Sequence, residues 1–188
     1  VEYEISASFA EGYYLNANFS AYTQHTVSRE IDNYALVPSY ATLGNTWNNV
    51  YVYGIMNADA LINEANKANL SYYAGIGRVL RAYAYMNLTD LFGDIPYSEA
   101  GYIWYDTEGN RKPKYDSQES IYKTLLNELV WARDVLSNGS AITALGNQYY
   151  SLGAYDVMYH NDYNKWAKIA NSLILRHGMR MYHKDEAF

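Results

Sequence analysis

Cysteine is absent from all 188 residues. That excludes a disulfide framework, a thiolate metal site and a cysteine nucleophile. Proline occurs three times, at Pro38, Pro96 and Pro113, each in a stretch that reads as loop or as a helix stop. No apolar run approaches the roughly 18 to 20 residues that a bilayer crossing needs. Basic residues are few and scattered, 14 against 20 acids, for a net charge of −6. A phosphate-binding surface needs clustered Lys and Arg, so a nucleic-acid partner is not expected.

Signatures of catalysis are equally scarce. The four histidines, His25, His160, His177 and His183, show no H-x-x-x-H or H-E-x-x-H spacing, and no metal site is readable. There is no Gly-x-Ser-x-Gly elbow. Gly75-Ile76-Gly77 lacks a preceding strand, falls inside a helical pattern, and reads as a packing seam rather than a dinucleotide loop. A glycosidase would need two carboxylates at a defined separation. Asp90, Asp94, Asp106, Glu108, Asp156 and Asp162 are available, but 20 acids yield pairs in any chain. The reading is a non-enzymatic protein with no cofactor. Val1-Glu2-Tyr3-Glu4 has neither a basic nor an apolar signal region. The end, Tyr182 to Phe188, follows a helical pattern without a clear cap, and truncation is expected there.

What is abundant is tyrosine, with 23 copies. Its flat apolar face and polar tip serve half-buried helix packing and serve equally for stacking on sugar rings. The hydrophobic share of 49% and charged share of 18% indicate a globular chain, and the length suits one helical domain over 1–188.

The periodicity predicts helices. A weak pattern covers Ser8 to Thr23, and 24–45 reads as loop. A strong helix is expected from Thr46 to Lys67, capped by Asn45 or Thr46, with Trp47, Val50, Tyr51, Gly54, Ala58, Leu61, Ile62 and Ala65 on one face. After a break at Ala68-Asn69-Leu70, a second runs from Ser71 to Phe92 with Ile76, Leu80, Ala84, Leu88 and Leu91 inward; Gly93 and Pro96 stop it. So short a break makes the two an antiparallel hairpin. A third opens at Asp116 or Ser117, with Glu119 completing a capping box, and ends at Leu136. A fourth starts near Asp162 and carries Trp166, Ile169, Ala170, Leu173, His177 and Met181, with His177 read as a core histidine. No sheet is predicted. The fold class is all-α: irregular tetratricopeptide-like helix hairpins with long loops.

Binding chemistry is expected in the connectors. Trp104 and Tyr105, in the connector 93–116, are the candidates for stacking, and Arg29, Asp32 and Tyr40, in the loop 24–45, for polar contacts with a ligand. In the competing role these groups satisfy the loops' own backbone.

Three ordered motifs resemble the SusD/RagB outer-membrane lipoproteins. The stretch Gly77-Arg78-Val79-Leu80-Arg81-Ala82-Tyr83-Ala84-Tyr85 leading to Phe92-Gly93-Asp94-Ile95-Pro96-Tyr97 resembles the family's central helix and its exit. Pro113-Lys114-Tyr115-Asp116-Ser117 resembles the start of the next helix, and Trp166 with Ala170-Asn171-Ser172-Leu173, Arg176 and Arg180 its W-x-x-x-A-N-S-L helix. Gln24 and Asp32-Asn33-Tyr34 are similar to the SusD-like branch. Each motif also has a local reason: Phe92 staples a helix end, and Asn171 and Arg176, partly buried, would tie helices together. The resemblance implies surface capture of oligosaccharide or peptide nutrient in a Gram-negative Bacteroidota cell. Its implied partner is a SusC-like TonB-dependent transporter, and its implied location the outer membrane, lipid-anchored and surface-exposed. The family's anchor sits on an N-terminal cysteine, so membrane contact is expected through an anchor not present in these residues. Family members are usually more than twice this length. The chain is therefore expected to be the N-terminal part of a SusD-like domain, with the rest supplying much of the pocket.

Overall fold

A computed structural model describes residues 40–101, 112–139, 142, 151–182 and 184. The helix expected over Ser8 to Thr23 and most of the loop 24–45 lie outside them. The first rod begins earlier than the sequence suggested: α1 spans Tyr40–Asn49, a π-helical stretch follows over Val50–Ile55, and α2 covers Met56–Lys67. Neither Asn45 nor Thr46 is a cap, and Thr46 is buried within the helix. Gly44, which reads as a breaker, has open space around it and is carried inside α1 at a cost of about 1 kcal/mol against Ala.

The turn to the next helix is built by Asn69, whose φ of 55° is the left-handed value that Asn tolerates better than most residues. The Leu70 amide closes the turn on the Ala65 carbonyl at 2.8 Å. Helix α3 runs Ser71–Phe92 and lies between α2 and α4 (Gln118–Leu136), with α5 (Tyr163–Met181) packed on α4 and touching α3. Being flanked so widely, α3 buries more than one stripe: Tyr72, Ile76, Val79, Leu80, Tyr85, Met86 and Leu88 are all inside. Leu91 is a correction. It stays exposed, and Phe92 takes the inward place, edge-on to Trp47 with ring centres 5.1 Å apart.

Small residues set the helix spacing as predicted. Gly75 faces Leu136, and Gly77 faces Ile62. The all-α architecture of hairpins holds, with one small addition. Ile95–Pro96 (β1) pairs antiparallel with Tyr115–Asp116 (β2), a ladder too short to leave a period in the sequence. Asp116 is thus a strand residue and not the start of a capping box. Ser117 caps α4 instead, its Oγ accepting from the Ser120 amide at 3.3 Å. Asp162 caps α5 as expected, accepting from the Lys165 amide at 3.1 Å. Asn171 and Arg176, expected to be partly buried, are exposed on α5, whereas His177 is fully buried.

Candidate functional site

Two arginines on the mostly apolar α3, Arg78 and Arg81, mark one face of the molecule. Arg81 Nη1 donates to Asp59 Oδ1 of α2 at 2.7 Å, and its Nη2 donates to both Glu128 oxygens of α4 at 2.5 and 2.6 Å. Three helices are thereby tied through one guanidinium, whose planar fork suits paired carboxylates. Burial alone would lower the Arg81 pKa, but the Glu128 and Asp59 charges outweigh it and hold the group above its usual range. For Asp59, burial dominates and raises the carboxyl despite Arg81. Arg78 lies 4.0 Å from the centre of the Trp131 ring, a cation–π contact.

Beside this bridge is a recess of about 190 Å³ whose walls include Asp59, Asn63, Arg81, Tyr85, Tyr97 and Glu128. Gly101 forms part of its rim. Its φ of +83° favours glycine, and a β-carbon there would stand 2.8 Å from Asp59 Oδ2. Tyr97 enters from the helix exit and meets Tyr85 edge-on at 4.8 Å. The exit itself is pinned at several points. The Tyr51 hydroxyl donates to the Pro96 carbonyl at 2.6 Å, the Gln118 amide donates to Asp94 at 2.9 Å, and Asp116 accepts from the Ser98 amide at 2.7 Å. Burial opposes the ionised Asp116, yet the Ser98 and Tyr97 donors prevail and keep its carboxyl below the ordinary range.

A larger cleft of about 430 Å³ lies at the far end, between the start of α4 and the end of α5. There the Tyr122 hydroxyl donates to Asp90 Oδ1, Arg180 pairs with Asp90 Oδ2, and the Gln118 side-chain amide donates to the Thr89 carbonyl at 2.7 Å. Its central polar groups are engaged with one another. In the Arg81 recess, by contrast, the Tyr85 and Tyr97 hydroxyls and the Asn63 amide make no hydrogen bond among the described residues. That makes the recess the better candidate for a guest.

Of the five residues named from the sequence, Tyr40 alone falls among the described residues. Trp104, Tyr105, Arg29 and Asp32 lie outside the described residues. Tyr40 is the first residue of α1 rather than part of a loop. The carboxylates weighed for catalysis have structural partners where described. Asp94 and Asp162 accept helix-start amides, and buried Asp156 accepts from the Tyr159 and Asn161 amides and from Trp166 Nε1. Sequence reading passed over Asp59, Arg81 and Glu128. The available signal was a pair of arginines inside an apolar helix, since such groups are rarely covered without partners.

The profile of a SusD-like family, described as "Starch-binding associating with outer membrane", matches residues 2–188. No curated protein matches the chain. Among solved structures, a chitin-binding SusD homolog from Flavobacterium johnsoniae superposes with a TM-score of 0.63 at 27% identity, over 77% of this chain and 28% of that one. A second, a chitin-binding protein, gives a TM-score of 0.61 at 29% identity over 78% of this chain and 28% of its own. The chain thus spans well under a third of the length of either structure.

Proposed function

The chain belongs to this SusD-like family, and on that premise we propose that it captures nutrient oligosaccharide without cleaving it, for delivery to a TonB-dependent outer-membrane transporter. The observation that carries the reading is the family match along 2–188, joined to the same helical fold in two relatives described as binding chitin. The absence of bond cleavage is supported by the state of the recess carboxylates. Asp59 and Glu128 are both bound to Arg81, which leaves neither poised as a free general acid or base.

Ligand contacts by Trp104, Tyr105, Arg29, Asp32 and Tyr40 belong to this proposal. So do a lipid anchor, exposure at the cell surface, a SusC-like partner, and peptide as the less favoured ligand. A second role, as a helical scaffold subunit of the transporter complex, is favoured by one feature. Leu175, Met179 and Tyr182 form an exposed stripe at helical spacing along and just beyond α5. Titration calorimetry against chitin, starch and peptide fragments separates the two. Heat from a saccharide supports capture, silence across the panel leaves scaffolding, and any turnover of a panel member overturns the non-enzymatic reading.

A further inference from the structure

Tyr85 is 1% exposed, lines the Arg81 recess, and has no hydrogen-bond partner for its hydroxyl among the described residues. A buried phenol normally finds a partner, because leaving one unsatisfied costs about 1 to 3 kcal/mol. Tyr97, half-buried and in edge-on contact with Tyr85, likewise makes no hydrogen bond through its hydroxyl among the described residues, and the Asn63 amide adds two more donors and an acceptor. Burial raises the pKa of both tyrosines well above the usual value, so each hydroxyl keeps its proton at neutral pH. Asp59 Oδ2 takes no hydrogen bond from Arg81, which uses Oδ1.

We infer that the Arg81 recess is a subsite for a single neutral saccharide ring, gripped by Tyr85, Tyr97 and Asn63 and bounded by Asp59. The inference rests on the oligosaccharide-capture reading and adds a place and a class of guest to it. Two carboxylates against the single Arg81 guanidinium leave the recess net negative, which disfavours an anionic guest. A hydroxyl-rich neutral ring matches the mixture of donors and acceptors, and the phenol faces suit its C–H surfaces. At about 190 Å³ the space suits one ring end-on rather than a chain lying lengthwise. The chemically simplest rival is a cluster of roughly six waters, at about 30 Å³ each.

The test is calorimetric titration of the full chain with chitotriose and with maltotriose, for the natural protein, Tyr85→Phe and Asn63→Ala, with melting curves alongside. Removing a hydroxyl that has no partner in the free protein should leave the melting temperature unchanged or raised while weakening binding about three- to ten-fold. Unchanged affinity in Tyr85→Phe shows that the recess holds only water, and leaves saccharide capture elsewhere on the chain standing. If Tyr85→Phe loses both affinity and stability, Asn63→Ala decides. Its amide supports no described contact, so it must weaken binding with the melting temperature intact, or the subsite is overturned. Absence of binding by the natural protein to both sugars overturns the subsite and the capture reading together.

Discussion

A β-carbon placed on Gly77 of α3 would stand 2.7 Å from Cγ1 of Ile62 on α2, closer than real side chains approach. The two helices are in contact at the limit that glycine allows. Gly77→Ala should therefore lower stability by about 1 to 3 kcal/mol through overpacking, despite alanine's better helix propensity. Gly75→Ala provides the contrast. Its new carbon meets only the flexible end of Leu136 at 3.1 to 3.4 Å, and its cost should stay below about 1 kcal/mol. Urea denaturation of both variants checks the ordering, and equal losses would show that the α2–α3 contact yields easily.

Arg81→Ala removes the one cation between Asp59 and Glu128 and leaves two mostly buried carboxylates facing each other. The expected loss is about 3 kcal/mol or more, largely the penalty for the orphaned charges. Adding Asp59→Asn and Glu128→Gln to that variant should return part of it. A triple variant no more stable than Arg81→Ala would show that the bridge acts through packing alone.

His177 links acidity to stability. The Tyr122 hydroxyl donates to Asp90, so at 3.3 Å it accepts from His177 Nδ1, and Nε2 is left as a buried acceptor without a partner. Burial first, and the Arg176 charge second, depress the His177 pKa from 6.5 to about 4. The unfolded chain therefore takes up this proton at higher pH than the native state does. Stability is full above pH 6.5 and falls as pH drops toward 4, by at most about 1.4 kcal/mol per pH unit from this group. Denaturation of the natural protein and of His177→Gln between pH 7 and 4.5 isolates the effect as the difference in slope. Parallel slopes would mean that His177 is protonated equally in both states.

Trp104→Ala should weaken saccharide binding by about 1 to 3 kcal/mol if the ring is a buried anchor for the ligand. Calorimetry with chitotriose measures it, and an unchanged affinity removes Trp104 from the site.

Helix positions were legible in the sequence wherever a stripe met a chemical stop. Asn69 and Gly93, which tolerate positive φ, end helices, and Asp162, whose carboxylate caps, begins one, each where the sequence places it. The start of α1 was not, because Gly44 and Asn45 imitate a boundary that packing of the following turns overrides. Asp116 misled in the same way. Its spacing to Glu119 fits a capping box, yet the Ser98 and Tyr97 donors, 18 and 19 residues earlier, claim its carboxylate. The candidate recess was hidden for a related reason. Asp59, Arg81 and Glu128 stand 22 and 47 residues apart, and only the stacking of three helices brings them together. Tyr85 and Tyr97 were visible as tyrosines, but nothing local tells a phenol that packs from one that waits for a partner.

The stretch Val50–Ile55 has a lasting effect on everything after it. A π turn is an ordinary helix holding one surplus residue, and each residue of an α-helix advances the spiral by about 100°. Wound as regular α-helix at unchanged length, the same stretch would carry Asp59 roughly a quarter-turn off the axis it shares with Arg81. The insertion thus works as the indexing notch of the molecule, fixing which side of the first rod the second one sees.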